Sequence, residues 1–228
     1  MTRGVLTLVA TPIGNLEDLS PRARRSLAEA TQIYAEDTRH SGMLLARIGV
    51  KARLRSCHDH NEAQRAGEIV AQLEAGENVA LVSDAGTPGL ADPGFRVVRA
   101  AIDAGCTVTM VPGPSSVIMA LVLSGFASDR FVFEGWLPRR SGGLRSFVER
   151  LRLEPRTTIL LESNHRLLKS LPVFAEFLPE RRLAVCREMT KLHESVRRGS
   201  AAELFAYYSQ QAPKGELVLV VQGAAEAG

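Results

Sequence analysis

The sequence predicts an α/β fold with a mainly parallel sheet in the first half of the chain and a mixed sheet in the second half. In the first half, short apolar runs alternate with amphipathic helical patterns, which is typical of parallel strands joined by crossover helices. In the second half, a short link between Glu188 and Glu194 favours an antiparallel hairpin. The 228 residues allow two small domains, and we place their boundary at the Pro112–Pro114 turn, giving domains 1–113 and 114–228.

Helix start and stop signals order the first half. Pro21 fits a first helical turn that Ser20 can cap, and Thr38 and Asn61 introduce the second and third helices. Three glycines follow helical patterns, as glycine does at helix C-termini: Gly49, Gly76 and Gly105. Strands are predicted near 5–10, 32–36, 53–57, 78–83 and 107–111. Helices are predicted near 21–30, 40–48, 61–75 and 93–104.

The second half contains further strands and helices at closer spacing. Strands are predicted at Phe131–Trp136, Thr157–Leu161, Leu183–Glu188, His193–Arg197 and Glu216–Gln222. Helices are predicted near 116–124, 143–152, 164–177 and 201–210. The segment 138–143, Pro-Arg-Arg-Ser-Gly-Gly, has the composition of an exposed flexible loop.

Three apolar strands of the first half end in turns made of small residues. The turns are Thr11–Asn15, Ser83–Pro88 and Pro112–Ser116. Ligands of open α/β sheets bind outside the carboxyl ends of the strands, and small residues there let the backbone approach a ligand closely. The pattern therefore predicts one pocket assembled from three loops.

Composition narrows the class of protein. Residues 113–228 hold 16 Lys and Arg against 12 Asp and Glu, which is compatible with a phosphate-rich partner or with a solvated charged surface. With neither an apolar run of 18 residues nor a signal-peptide pattern, we expect a cytoplasmic protein without a membrane span. The three cysteines are widely spaced, which favours buried thiols over a metal site.

Polar clusters follow several strands. Ala35–Arg39 is interpreted either as a capped helix start with an Asp–Arg pair or as a cluster facing the pocket. Cys57–Glu62 holds two histidines, for which acid–base or positioning work is favoured over metal binding; helix capping by Asp59 and Asn61 is the structural alternative. In Glu162–Leu167, a serine or asparagine can cap the next helix.

Familiar catalytic and nucleotide-binding motifs are absent from the sequence. It lacks G-x-G-x-x-G, the P-loop, H-E-x-x-H and G-x-S-x-G. Instead, eight motifs occur in order: Thr11–Leu16, Ala35–Arg39, His58–Glu62, Ser83–Pro88, Pro112–Ser116, Glu162–Leu167, Arg187–Lys191 and Lys214–Leu217. Together they resemble the ribosomal RNA small-subunit methyltransferase I family, a branch of the tetrapyrrole methylase superfamily, over essentially the whole chain.

The resemblance implies the two-domain fold of class III S-adenosylmethionine (SAM) methyltransferases, with SAM in a cleft between the domains and a homodimeric assembly. It implies 2′-O-methylation of a cytidine in the decoding region of 16S rRNA. It also implies a further small helical segment after the last strand. The implied SAM-binding residues are Pro12, Gly14, Ser83, Asp84, Ala85, Gly86, Thr87, Ser115, Ser116, Leu161, Gly215 and Leu217.

The remaining roles are hypotheses from residue chemistry. A base must accept the proton of the ribose 2′-hydroxyl, and the candidates are His58, His60, Asp37 and Glu188 with Lys191; alternatively, Lys191 lowers the hydroxyl pKa electrostatically. Arginine side chains bind phosphates well, and the candidates for RNA contacts are Arg39, Arg139, Arg140 and Arg166. The expected substrate is 16S rRNA within an assembled small subunit.

Two other functions fit the same sequence. One is a methyltransferase of the same superfamily that acts on a tetrapyrrole, another small molecule or a protein. The other is a non-catalytic module that senses SAM or a nucleotide. Turnover of SAM in the presence of small ribosomal subunits distinguishes these possibilities.

Overall fold

The computed structural model describes residues 2–224, and the chain divides into two compact units, Met1–Ser115 and Ser116–Gly228. The division lies two residues beyond the boundary expected from the Pro-Gly-Pro turn. Each unit has its own sheet and its own hydrophobic core.

The first unit is built on a parallel sheet. Its strands are β1 (Val5–Val9), β2 (Gln32–Ala35), β3 (Leu54–Ser56), β4 (Val79–Val82) and β5 (Thr107–Val111). Their order is β3-β2-β4-β1-β5, and every pairing is parallel. Both β2 and β4 are buried along their whole length, as expected for central strands covered on both faces. The predicted parallel sheet is therefore confirmed, with strand ends one residue shorter in places.

Helices cover both faces of this sheet. They are α1 (Pro21–Glu29), α2 (Thr38–Arg47), α3 (Glu62–Glu74) and α4 (Phe95–Asp103). One core cluster joins α3 and α4 to the sheet through residues such as Ile69 and Val97. The other joins α1 and α2 to the opposite face through residues such as Leu27 and Leu45. Because the helices lie on the faces, the carboxyl edge of the sheet is formed by loops alone.

Local signals explain where these helices begin and end. Ser20 caps α1, its hydroxyl accepting the Ala23 N–H at 3.1 Å, as predicted. Thr38, predicted to introduce the second helix, is the first residue of α2, and Asp37 before it is the N-cap. Gly49, Gly76 and Gly105 follow helices with positive φ, which confirms their role as helix terminators.

The second unit contains a mixed sheet. Its strands are β6 (Phe131–Trp136), β7 (Thr157–Ser163), β8 (Arg182–Arg187), β9 (Ser195–Ser200) and β10 (Glu216–Val221). Their order is β6-β7-β10-β8-β9; β6 runs parallel to β7, and the other pairings are antiparallel. The mixed sheet and its β8–β9 hairpin are confirmed.

The helices of the second unit pack on its sheet. They are α5 (Ser116–Ser124), α6 (Ser141–Arg150), α7 (Asn164–Phe177) and α8 (Ala201–Gln210). A single core cluster links α6, α7 and α8 to β7, β8 and β10. Helix α5 lies against the sheet separately, and Arg198 on β9 closes its end by donating to the Leu123 and Ser124 carbonyl oxygens.

Other expectations about the chain have mixed outcomes. The loop predicted over 138–143 was too long, because α6 already starts at Ser141. The three cysteines are buried, as predicted, and burial raises the pKa of Cys57 to about 11 and of Cys186 to about 12. No helix between residues 2 and 224 is long and apolar enough to cross a membrane.

Candidate functional site

The loops after β1 and β4 are joined by backbone hydrogen bonds at the carboxyl edge of the first sheet. Thr11 and Gly86 form an antiparallel bridge, with N–H to oxygen distances of 2.9 and 3.0 Å. The Thr11 hydroxyl also donates to the Ser83 carbonyl oxygen at 3.4 Å. Thr11 and Ser83 are both buried. These contacts fix the two loops against each other.

The loop after β5 also contacts the place where the β1 and β4 loops are joined. The Thr87 hydroxyl donates to the Pro114 carbonyl oxygen at 3.4 Å. Gly86 has a φ of 80°, and a Cβ built on it would lie 3.2 Å from Ile13 Cγ2 and 3.5 Å from the Pro114 oxygen. A side chain at position 86 would therefore press on Ile13 of the β1 loop and touch Pro114 of the β5 loop. The structure brings together the three turns predicted to form one pocket.

The end of β2 is tied to the β4 loop by a carboxylate. Asp84 Oδ1 accepts the Asp37 N–H at 2.9 Å, and the Asp84 N–H in turn donates to the Glu36 carboxylate. This pair of opposed contacts positions Glu36 beside the pocket loops. Sequence reasoning gave Asp84 a role in cofactor binding; its carboxylate orders the neighbouring loop.

A cluster of carboxyl groups surrounds Glu36. Burial, together with the neighbouring carboxylates Asp92, Asp84 and Asp59, raises the pKa of the Glu36 carboxyl to about 7. Burial likewise raises the pKa of Asp92 to about 6, against a hydrogen bond from Ser83. Glu36 and Asp92 were both absent from the predicted catalytic residues, because the cluster joins loops far apart in sequence. The cluster can hold a proton near neutral pH.

Asp37 and Arg39 form a local pair. Asp37 caps α2 by accepting the Arg39 N–H at 2.8 Å, and its second oxygen lies 2.8 Å from Arg39 Nη2. The side-chain hydrogen bonds from Arg39 hold the pKa of the Asp37 carboxyl well below its usual range. The capped helix start with its Asp–Arg pair is observed, and Glu36 of the same motif lies beside the pocket loops. Arg39 is 89% exposed, so its guanidinium also faces solvent.

His58 is held by Asn61. Asn61 Oδ1 accepts the His58 N–H at 2.8 Å, and Asn61 Nδ2 lies 3.2 Å from His58 Nε2 and 3.3 Å from Ser56 Oγ. The amide donor at Nε2 places the proton of a neutral ring on Nδ1. Within residues 2–224 this buried Nδ1 has no hydrogen-bond partner. Asn61 stands at the N-cap position of α3, as predicted, but its side chain makes no capping hydrogen bond there.

Glu62 anchors the long β4–α4 loop. It is only 6% exposed, and Oε1 accepts the N–H groups of Gly94 and Arg96 at 2.8 and 2.9 Å. It thus caps α4, whose own N-cap is a glycine without a side-chain bond. The β4–α4 loop contains Ala91 at a φ of 62°, a strained backbone conformation for alanine. This buried carboxylate holds the loop in place.

In the second unit, the Glu162–Leu167 motif contains an ion pair between the buried Glu162 and Arg166. Glu162 is 2% exposed, accepts the Ser163 N–H at 2.8 Å and the Ser170 hydroxyl, and lies 3.4 Å from Arg166 Nη1. Arg166 also donates to the Leu137 and Pro138 carbonyl oxygens. The predicted capping by Ser163 is not observed as a side-chain bond. Arg166, expected to hold phosphate, is engaged in orienting the turn after β6.

A second charged cluster joins the β8–β9 hairpin to β10. Glu188 Oε1 lies 3.1 Å from Lys191 Nζ and accepts the Glu216 N–H at 2.8 Å. The hydrogen bond from the Glu216 N–H lowers the pKa of the Glu188 carboxyl. Burial by itself would lower the pKa of Lys191, but the hydrogen bonds of its ammonium group to Glu216 and Glu188 outweigh burial and raise that pKa. A Cβ on Gly215 would lie 2.2 Å from the Glu188 carboxyl group, so the carboxylate can occupy this position only because residue 215 is a glycine. Lys191 is thus a fixed cation.

The other predicted site residues are placed as follows. Pro12 and Gly14 lie on the β1 loop, Ala85 is exposed on the β4 loop, and Ser115 and Ser116 end the β5 loop. His60 is exposed beside His58, with ring centroids 6.0 Å apart. Leu161 and Leu217 lie on adjacent strands, and Arg139 and Arg140 are exposed before α6. No group of three or more His, Cys, Asp or Glu among residues 2–224 is arranged to hold a metal ion.

The sequence of this chain is similar to those of several known proteins. The tetrapyrrole (corrin/porphyrin) methylase family model matches residues 5–204. The chain is 48% identical over 222 residues to the ribosomal RNA small subunit methyltransferase I of Synechocystis sp., covering 97% of this chain and 80% of that protein. It is 49% identical over 228 residues to the protein of that name from Xylella fastidiosa, covering 99% and 84%.

A solved structure supports the fold. Uroporphyrin-III-C-methyltransferase from Thermus thermophilus matches with a TM-score of 0.66 at 24% identity, covering 96% of this chain and 94% of that one. At this identity the match shows the fold alone. The predicted tetrapyrrole-methylase-like α/β fold is confirmed.

Proposed function

Because the chain belongs to the tetrapyrrole methylase family and, within it, to the ribosomal RNA small subunit methyltransferase I group, we propose that it methylates small-subunit ribosomal RNA with SAM as methyl donor. The observation that carries this proposal is near-half identity over 97% of the chain. The finer proposal is transfer to the ribose 2′-oxygen of a cytidine in the decoding region of 16S rRNA, presented in an assembled subunit to a homodimeric enzyme.

The loops of the first unit fit SAM as a ligand. SAM supplies a methyl group activated by a sulfonium when it is bound. The Ser83–Pro88 turn is made of small residues, which let a polar amino-acid and nucleoside ligand approach the backbone closely. Pro12, Gly14 and the turn 83–87 would hold it. The contacts proposed at Ser115, Ser116, Leu161, Gly215 and Leu217 rest on family resemblance.

We expect Gly86→Ala to raise the Kd for SAM by about tenfold, because the new Cβ presses on Ile13 at a positive φ. Gly89→Ala is the matched control: Gly89 has the same φ of 80°, but a Cβ there meets nothing within 4 Å. Calorimetric titration with SAM measures both variants. Equal losses of affinity would show that backbone strain alone, and not the junction of the loops, weakens binding.

The 2′-hydroxyl must lose its proton as the new carbon–oxygen bond forms, and we propose Glu36 as the base. Its pKa of about 7 suits proton transfer near neutrality. Asp37 and Glu188 have lowered pKa values and are weaker bases. His58 would need to release Asn61 from Nε2 to act, while exposed His60 is free of that constraint.

Cations would orient the RNA. Lys191, held charged by two carboxylates, is proposed as a fixed positive charge for substrate. Arg39, Arg139 and Arg140 are exposed and proposed to contact phosphates; Arg166 has less freedom because of its carbonyl and Glu162 partners. Such contacts make RNA binding dependent on salt.

The experiment that tests this function compares substrates. Radiolabelled SAM is incubated with the protein and either small ribosomal subunits lacking their native modifications or uroporphyrinogen. Label in the 16S rRNA supports the proposal, and label in the tetrapyrrole alone supports the rival methyltransferase. SAM binding without transfer to either substrate would favour a sensing module and contradict the proposal.

A further inference from the structure

The first unit carries a basic groove between its first two helices, and neither Thr11 nor Gly86 of the loop junction lines it. The groove has a volume of about 860 Å³ and is lined by Leu16, Leu19 and Ser20 at the end of the loop after β1, by α1 and by the C-terminal end of α2. Its charged lining residues are Arg24, Arg25 and Arg47, and no Asp or Glu lines it. Apolar side chains, including Leu19 and Ile48, form much of the rest.

The three guanidinium groups of the basic groove are available to a ligand. Among residues 2–224, the side chains of Arg24, Arg25 and Arg47 make no ion pair and no hydrogen bond, although all three are exposed. By contrast, exposed Arg145 on α6 is paired with Glu176. Unpaired like charges on neighbouring elements create a local positive potential that attracts anions.

The position of Arg24 links the two helices. A Cβ built on Gly49 would lie 3.6 Å from Arg24 Nη2, so this guanidinium reaches the end of α2, close in sequence to Arg47. Carboxyl groups do occur nearby in sequence, at Glu17, Asp18 and Glu29, but none lines the groove. The positive charges of α1 and α2 therefore converge on one depression.

We propose that the basic groove binds the phosphate backbone of 16S rRNA outside the methylated nucleotide, an inference that rests on the proposed function. Arginine forks match phosphate oxygens, and several of them along a groove suit a chain of phosphates better than a single anion. The apolar lining packs against sugars and base faces. The volume of about 860 Å³ exceeds the needs of one phosphate group. Such contacts position the RNA without reading its sequence.

The test compares Arg24→Gln/Arg47→Gln with the control Arg53→Gln/Arg152→Gln. The control removes two exposed arginines outside the groove, so both variants lose the same net charge. Binding to labelled, deproteinised 16S rRNA is measured by anisotropy at several salt concentrations. We expect the groove variant to bind roughly tenfold more weakly, with the slope of log K against log salt reduced by ~2, and the control to resemble wild type.

Measurements of methyl transfer distinguish a failure of the groove proposal from a failure of the proposed function. With small subunits as substrate, the groove variant should have a raised KM for subunits, with kcat and the Kd for SAM unchanged. Equal RNA affinity and salt slope in the two variants would overturn the groove proposal. A loss of affinity for intact subunits but not for deproteinised RNA would also overturn it, because a ribosomal protein would then be the partner. Failure of wild type to methylate, with RNA binding still dependent on the groove, counts against the proposed function alone. If the double variant fails to fold, Arg47→Gln replaces it, with a slope change of ~1.

Discussion

Glu36→Gln is expected to lower kcat for methyl transfer by roughly 10²–10⁴-fold while leaving the Kd for SAM unchanged. The amide keeps the size of the side chain but cannot accept the proton of the 2′-hydroxyl. In wild type, kcat should rise with pH up to about 7, the pKa of Glu36, and then level off. This inflection should be absent from the variant. Glu29→Gln, an exposed carboxylate at the end of α1, is the control and should retain wild-type kinetics.

Glu36→Gln, although it should lower activity, should increase the stability of the folded protein at neutral pH and above. The pKa of Glu36 rises from 4.5 to about 7 on folding, so the folded protein binds the proton more tightly than the unfolded chain. Stability due to this group is therefore present below about pH 4.5 and is lost as pH rises to about 7. Above pH 7, Glu36→Gln should be more stable than wild type, because the amide carries no charge to be desolvated beside the other carboxylates. A variant that is inactive and also less stable at pH 8 would indicate a structural role, and one with wild-type turnover would exclude Glu36 as the base.

The second large effect is expected at Glu162. Glu162→Ala should lower the free energy of unfolding by roughly 3–5 kcal/mol, because it leaves Arg166, Ser170 and the Ser163 N–H without their buried carboxylate partner. Glu162→Gln should cost less, since the amide oxygen can still accept a hydrogen bond. Urea unfolding followed by circular dichroism measures both variants.

The control for Glu162 is Glu176→Ala. Glu176 also pairs with an arginine, Arg145, but both side chains are about half exposed. Solvent already screens that pair, so its removal should have little effect on stability. Similar losses for Glu162→Ala and Glu176→Ala would mean that burial is not what makes the Glu162 pair important.

The pocket loops could be predicted from the sequence because parallel strands share one carboxyl edge. Apolar runs ending at Val9, Val82 and Val111 were enough to place three turns at that edge. The hairpin after β8 followed from its short link for a similar reason. Helix ends were predicted less accurately where two residues could cap, as at Asp37 and Thr38.

Roles that depend on tertiary contacts could not be predicted in this way. Glu36 obtains its raised pKa from burial and from Asp92, which lies on a different loop. Glu62 caps α4 from α3, and Glu162 fixes the arginine that orients the turn after β6. Glu36 and Glu62 have partners on other loops, and Arg166, although it lies within the motif of Glu162, contacts Leu137 and Pro138 far away in the chain. Periodicity and spacing carry no information about such partners.

The central claim is that this protein methylates a ribose of small-subunit RNA, and mapping of the transferred label tests it most directly. Small subunits labelled from radioactive SAM are digested, and the labelled product is identified by its resistance to alkaline hydrolysis and by its base. We predict label on the 2′-oxygen of one cytidine in the decoding region, dependent on Glu36. Label on a base, at another position of the RNA, or in no RNA at all would contradict the account.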